Sequence, residues 1–308
     1  MGKLKCLVDI PADEYHEAAR RGQFLSSHLL GDFRKTPLLY HKKMTGEIEP
    51  GDSAAYQMGR AVHTLILEGR GKFDEEFLIS EGPINAKTGE PFGKLTKAYR
   101  EWAAAQNLPV VSGADFNFMT QLQRSVWLHP VAAELLAEGV SEQTVRTNYC
   151  GEMCQIRMDW FRDSYNGKPV ICDLKTCENL DYFESDCRKY GYPHQMAFYK
   201  RVLETASDGE LKPDVYFIAV EKREPYRCGV WKLTDALLES CAVSNERAIE
   251  ELRECRMTNS WPTRTEDLQI LDVRSVFYTS ALLKCRRMKS PAVFFIYPQT
   301  QRKEYTWH

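Results

Sequence analysis

The chain has 308 residues, a formal net charge of −2, 43% hydrophobic and 27% charged residues. That is long enough for one large or two small domains with a real core, it is ordinary for a soluble globular protein, and no apolar run approaches the roughly 20 residues needed to cross a bilayer. The near-neutral balance excludes a protein that attracts nucleic acid by its overall field, but not one with a locally basic groove.

The first twelve residues mix charges with apolar side chains and show no small-residue cleavage site, so no secretory signal is read there and a cytoplasmic protein is expected. Ten cysteines are scattered along the chain. None forms a CxxC pair, and no second pair stands at zinc-ribbon distance, so reduced thiols are the expectation.

In chain order, Ile10-Pro11-Ala12-Asp13-Glu14-Tyr15 reads as a turn into a helix with Asp13 near its first turn. A second helix opens at Ser26-Ser27-His28, with a serine as N-cap. A polar segment bearing Gly and Pro is expected from there through Pro50-Gly51-Asp52. Residues 53–69 have the apolar spacing of a helix, with Ala54, Ala55, Met58, Ala61, Val62, Leu65 and Ile66 on its face and Gly69 as its stop. Arg60 and His63 are one turn apart on it. Residues 82–93 read as a loop, and 94–106, 114–128 and 131–136 as helices.

The pattern changes near Gly139. Residues 143–149, 155–162 and 170–175 alternate or run apolar and β-branched, separated by turn signals such as Tyr165-Asn166-Gly167-Lys168-Pro169, so three antiparallel strands are expected. A helix over 183–203, strands over 215–220 and 227–233, and a long helix capped by Thr234 complete the reading. The expectation is a single α/β domain over residues 1–270, with a helical part (1–138) before a strand-rich core (139–256), and a basic extension at 271–308. The extension carries Arg274, Lys284, Arg286, Arg287, Lys289, Arg302 and Lys303 against Asp272 and Glu304.

The chain is organised around Val170-Ile171-Cys172-Asp173-Leu174-Lys175-Thr176. Alternation puts Asp173 and Lys175 on one face of this strand and Cys172 and Leu174 on the other. Charges on a buried strand need a reason. Taken alone, the pair reads either as a structural salt bridge or as half of a metal site. In the preceding strand Arg157, Asp159 and Phe161 are expected to share a face, which sets Asp159 beside Asp173. Glu142 lies near the start of the first strand, with Glu152 as a competitor for its role. Gln195 and Tyr199 stand at i and i+4 on the following helix. Two aspartates, a glutamate and a histidine form a hard O/N set suited to Mg²⁺ or Mn²⁺, which takes further ligands from water and phosphate.

These motifs resemble a known family. Asp159, then Asp173-Leu174-Lys175, then Gln195-Met196-Ala197-Phe198-Tyr199 is similar to the PD-(D/E)xK nuclease core in its RecB-like branch. Gly59-Arg60-Ala61-Val62-His63 resembles the histidine helix of RecE-type phage exonucleases (exodeoxyribonuclease VIII). Ser141-Glu142, Gln155-Ile156-Arg157-Met158-Asp159, Tyr192-Pro193-His194-Gln195 and Met257-Thr258-Asn259-Ser260-Trp261-Pro262 fall in that family's order. The resemblance spans residues 26–262. It implies a restriction-endonuclease-like fold, a mixed central sheet flanked by helices, preceded by a helical N-terminal part.

It also implies roles. His63, Asp159, Asp173 and the Leu174 carbonyl would hold Mg²⁺ (Mn²⁺ substituting), and Glu142 a second ion or its water. Lys175 would position or activate the attacking water. Gln195 and Tyr199 would orient the site and touch the DNA backbone, while Arg60 and Arg157 are read as phosphate contacts. The implied activity is 5′→3′ degradation of linear double-stranded DNA from its ends, leaving 3′ single strands for a single-strand annealing protein. The implied assembly is a ring-shaped homo-oligomer in a bacterial host cell, encoded by a phage or prophage. Rival readings with the same residues are an endonuclease or single-strand nuclease, and a catalytically silent DNA-end scaffold. The tail past residue 270, with its Ala292-Val293-Phe294-Phe295-Ile296-Tyr297 run, has no counterpart in that family. Nor do Cys241, Cys255 and Cys285 match the close cysteine triplet of its iron–sulfur relatives.

Overall fold

The computed structural model describes residues 6–49 and 54–270. The basic extension and its apolar run lie outside these residues, as does Ser53 at the start of the helix expected over 53–69. The described residues up to Arg264 cluster as one compact unit.

Among the described residues a six-stranded sheet has the order β1 (Leu7–Val8), β4 (Val140–Tyr149), β5 (Glu152–Tyr165), β6 (Lys168–Cys177), β7 (Asp214–Glu221), β8 (Cys228–Lys232). Neighbours are antiparallel except β6 and β7, which run parallel. The sheet is therefore mixed. The three antiparallel strands read from the sequence are its middle. Their hairpins close through Cys150-Gly151 and Asn166-Gly167, all four with positive φ, the geometry of the two-residue turns that match strand twist. A small parallel pair, β2 (Leu78–Ile79) with β3 (Val110–Val111), stands apart.

Parallel neighbours need a crossover. Here it is α9 (Phe183–Tyr190) and α10 (Tyr192–Ala206). The sequence suggested one helix over 183–203. Gly191, at φ 71°, ends the first helix in the left-handed region, and Pro193 starts the second where a missing N–H costs nothing. The long helix α11 (Asp235–Thr258) follows β8, and the Thr234 hydroxyl accepts from the Leu237 N–H as expected.

Each face of the sheet is covered. On one side α10, α11 and α2 (Ser27–Lys35) pack with Ile156, Met158, Ile171 and Phe217. On the other, α4 (Ala54–His63), α7 (Gly113–Leu128) and α8 (Pro130–Leu136) pack with Val170, Cys172, Leu174 and Ile218. The remaining helices among the described residues are α1 (Ala12–Arg20), α3 (Pro37–Met44), α5 (Gly69–Glu76) and α6 (Lys97–Ala104).

Three further expectations change. The polar segment after the second helix contains α3, because Pro37 sits in its first turn and buries with Tyr40. The helix expected to run to Gly69 is regular only to His63. A wider π turn, Thr64–Glu68, carries the chain to Gly69, whose φ of 85° lets α5 begin in a new direction. Phe161 does not share a face with Arg157: it packs with Ile156 and Met158, while Trp160 joins the opposite layer. The cause is next door, where Glu142 takes φ 55° and interrupts the ladder between the pairs Gln143–Met158 and Ser141–Trp160.

Candidate active site

The middle of the sheet places the chemistry. Asp173 and Lys175 project from β6 on the side of the α9–α10 crossover, and Lys175 Nζ lies 2.5 Å from Asp173 Oδ2. Asp159 on β5 turns one carboxylate oxygen to the Leu174 N–H at 3.0 Å. His63, at the end of α4, sets Nδ1 3.3 Å from the same oxygen of Asp159. From α10, the Gln195 side-chain oxygen accepts from Lys175 at 3.5 Å, and its amide donates to the Tyr199 hydroxyl at 3.2 Å. Thus His63, Asp159, Asp173, Lys175, Gln195 and Tyr199 form one chain of contacts drawn from four elements.

Glu142 joins at the rim. Its carboxylate meets Arg157 Nε at 2.5 Å, and Arg157 also donates to the Ile10 carbonyl at 2.6 Å. Arg157 is thereby committed to protein partners. Glu152, the competitor for this role, is bound to Arg256 at 2.6 Å on the far end of β5. Arg60 leans on the Phe77 ring at 5.2 Å and lies 3.7 Å from Glu76.

These side chains open into a cleft of about 1750 Å³ lined by His63, Arg60, Glu142, Arg157, Asp159, Lys175, Gln195 and Tyr199. Asp173 is 1% exposed and does not line it. It stands behind Lys175, which does.

Two of the lining residues that had no role read from the sequence bear directly on Lys175. Tyr192 supports the Lys175 ammonium with its ring at 4.9 Å. His28 lines the cleft from α2 with its side chain exposed there, and the shortage of water in the cleft and then the Lys175 charge lower its pKa. Neither had a local signal, since each is one helical residue brought in by packing.

The electrostatics follow from crowding like charges out of water. Burial pushes Asp173 up to about 6, with Asp159 adding to the rise and Lys175 opposing it. Burial also raises Asp159, against Lys175 and the Leu174 N–H. Glu142 is raised by burial and then by Asp159. Lys175 is held above its ordinary value: burial works against its charge, but Asp173 and Asp159 outweigh it. His63 is lowered by burial and by Lys175, which favours the neutral imidazole that binds metals.

Three raised carboxyl groups in one site are short of positive charge. Although Lys175 is close, neither oxygen of Asp173 has a well-directed hydrogen-bond donor. Among the described residues no three His, Cys, Asp or Glu side chains converge into a ready cage. The oxygen donors of Asp159 and Asp173 are of the kind that a hard divalent cation takes, one or two carboxylates with water and substrate phosphate completing its shell. Asp159 and Asp173 would hold it, with His63 beside Asp159.

The family model of a PDDEXK-like domain of unknown function (DUF3799) matches residues 26–273. The chain belongs to that family. Its PD-(D/E)xK character agrees with the nuclease-core resemblance of the sequence. Among solved structures, this member of the family is similar to a Eubacterium rectale protein named "Putative exonuclease", with a TM-score of 0.57 and 15% identity over 89% of this chain and 99% of that one. That likeness supports the restriction-endonuclease-like fold. A second structure, SSO0001, has a TM-score of 0.26 and 12% identity over 46% of this chain and 68% of that one, too low to bear on the fold. No curated protein matches in sequence.

Proposed function

We propose that this PDDEXK-like protein is a metal-dependent deoxyribonuclease that degrades linear double-stranded DNA from its ends in the 5′→3′ direction. The observation that carries the nuclease reading is the meeting of Asp159, Asp173 and Lys175 beneath a cleft that also holds His63, Gln195 and Tyr199. The finer statement, end-directed and 5′→3′, rests on the resemblance of the ordered motifs to RecE-type exonucleases. With it come a 3′ single-stranded product, an annealing partner for that strand and a ring-shaped oligomer.

The chemistry assigns each residue a task. A divalent ion at Asp159 and Asp173 would supply a nucleophilic water and stabilise charge on the scissile phosphate. Mg²⁺, with Mn²⁺ as substitute, fits the oxygen donors, and the resemblance to RecE-type exonucleases gives Glu142 a second ion or its water. Lys175 keeps its proton beside the carboxylates and so orients a water through its ammonium donors. Gln195 fixes the Lys175 head, and Tyr199 fixes Gln195. Arg60 is the guanidinium of the rim with the freer reach to a phosphate, because Arg157 is already held by Glu142 and the Ile10 carbonyl.

The test is a linear duplex labelled at either the 5′ or the 3′ end, with covalently closed circular DNA as control, in Mg²⁺ and in EDTA. Metal-dependent early release of 5′ label with an intact circle is the expected result. A cut circle would replace the exonuclease by an endonuclease. No hydrolysis of any substrate, Mn²⁺ included, would leave a DNA-end-binding scaffold.

A further inference from the structure

A second groove, of about 620 Å³, lies between α2, α11 and the segment after α11, and it shares no lining residue with the catalytic cleft. Its wall is one stripe of α11: Ser240, Ser244, Arg247 and Glu251, spaced four, three and four residues apart and so stacked along a single helical face. Arg34 enters from the last turn of α2, and Arg264 from the chain beyond α11.

The charges in this groove do not balance. Glu251 is its carboxylate, and Arg264 holds it at 2.7 Å while resting on the Phe33 ring at 5.8 Å. Among the described residues Arg34 and Arg247 have no anionic partner. Arg34 is half-buried, and burial lowers its pKa from the ordinary arginine value. Removing a guanidinium from water without a counter-ion costs free energy. Its field also reaches His194 on α10, which burial and Arg34 together hold at about 4.

Surplus guanidinium forks beside two aligned hydroxyls are the donor set that recognises a tetrahedral oxyanion, with arginine giving paired N–H donors and serine single O–H donors. The sequence past residue 270 is itself basic, so it offers few anions to this groove.

We infer that the groove of Arg34, Arg247, Ser240 and Ser244 is a phosphate-binding site separate from the catalytic cleft. Its ligand is a phosphate of a nucleic-acid backbone or of a free phosphorylated molecule. The inference stands on its own charges and does not depend on the nuclease reading.

The experiment uses the full chain and two variants, Arg34→Met, which keeps the apolar stem, and Arg247→Ala, at an exposed position. Inorganic phosphate is titrated against thermal unfolding at constant ionic strength, with chloride as control. Phosphate is expected to raise the Tm of the wild-type chain, with the rise lost in the double variant. A second arm measures binding of a fluorescent DNA duplex in EDTA against salt. If the ligand is a DNA backbone, the double variant binds roughly 10-fold more weakly and its log–log salt slope is shallower by about 1 to 2. If it is a free phosphorylated molecule, DNA binding is unchanged while the phosphate effect is still lost. A phosphate effect of equal size in the wild type and the double variant would overturn the site, whatever the DNA result. Failure of the nuclease reading would appear separately, as a wild-type chain that does not cut DNA in Mg²⁺ yet keeps its phosphate response.

Discussion

Lys175 Nζ stands 2.5 Å from Oδ2 of Asp173, and the ammonium, not the carboxylate, is the group that meets the cleft. Asp173 itself does not line the cleft, and the Lys175 head beside it is held by Gln195 and the Tyr192 ring.

Asp173→Asn removes the charge that a divalent ion would bind while keeping the shape. DNA hydrolysis should fall by about 10³-fold or more. Circular dichroism should stay unchanged. A variant cutting linear duplex at the wild-type rate would refute the assignment of this strand.

Lys175→Met should lower kcat by about 10²–10³-fold, the range for losing one preorganised donor at the reacting centre. The Mg²⁺ concentration for half-maximal rate should move little or fall, because the competing ammonium is gone from Asp173. Rate against metal concentration separates this from a ligand loss.

His63→Ala should show the opposite split. His63 touches Asp159 at 3.3 Å, so its removal should raise the metal requirement by about 10–100-fold. Saturating Mg²⁺ should restore much of kcat. Equal loss at all metal concentrations would remove His63 from the metal's surroundings.

Gly191→Ala tests the break between α9 and α10. A Cβ there would meet nothing within 4 Å, but the residue sits at φ 71°. The cost is therefore conformational, about 1–2 kcal/mol in urea unfolding. Activity should fall further than stability, since Gln195 and Tyr199 take their direction from the start of α10.

His194 predicts a pH dependence. Its folded pKa is about 4, below the ordinary 6.5, because of burial and then Arg34. The folded state thus binds its proton less readily than the unfolded chain. Stability should be constant above about pH 6.5 and fall as pH drops toward 4. Allowing for solvent screening, the loss from pH 7 to pH 5 is about 1–2 kcal/mol. His194→Gln should flatten that part of the profile in chemical denaturation.

Much of this site was legible before any coordinates because its rules are local. Alternation fixes Asp173 with Lys175, and helical spacing fixes Gln195 with Tyr199. The Asn166-Gly167 turn lays β5 beside β6, so Asp159 meets Leu174. What local rules could not give are meetings between distant segments: His28 with the Lys175 field, Tyr192 under the ammonium, Arg157 claimed by the Ile10 carbonyl. Nor could they give the left-handed turn of Glu142, which moves Phe161 to the other layer. The two-residue strands β1, β2 and β3 were missed because such short runs carry no period. α3 was missed because its polar residues hid the burial of Tyr40.

The central position of β6 restricts how this chain can change. One edge of the strand is bonded to an antiparallel neighbour and the other to a parallel one, so its register is held from both sides. A residue gained or lost within it would turn Asp173 and Lys175 into the layer of Cys172 and Leu174 and empty the site of both charges at once. Length in this strand is therefore locked, and insertions have to be absorbed in connections such as residues 82–93, away from the sheet.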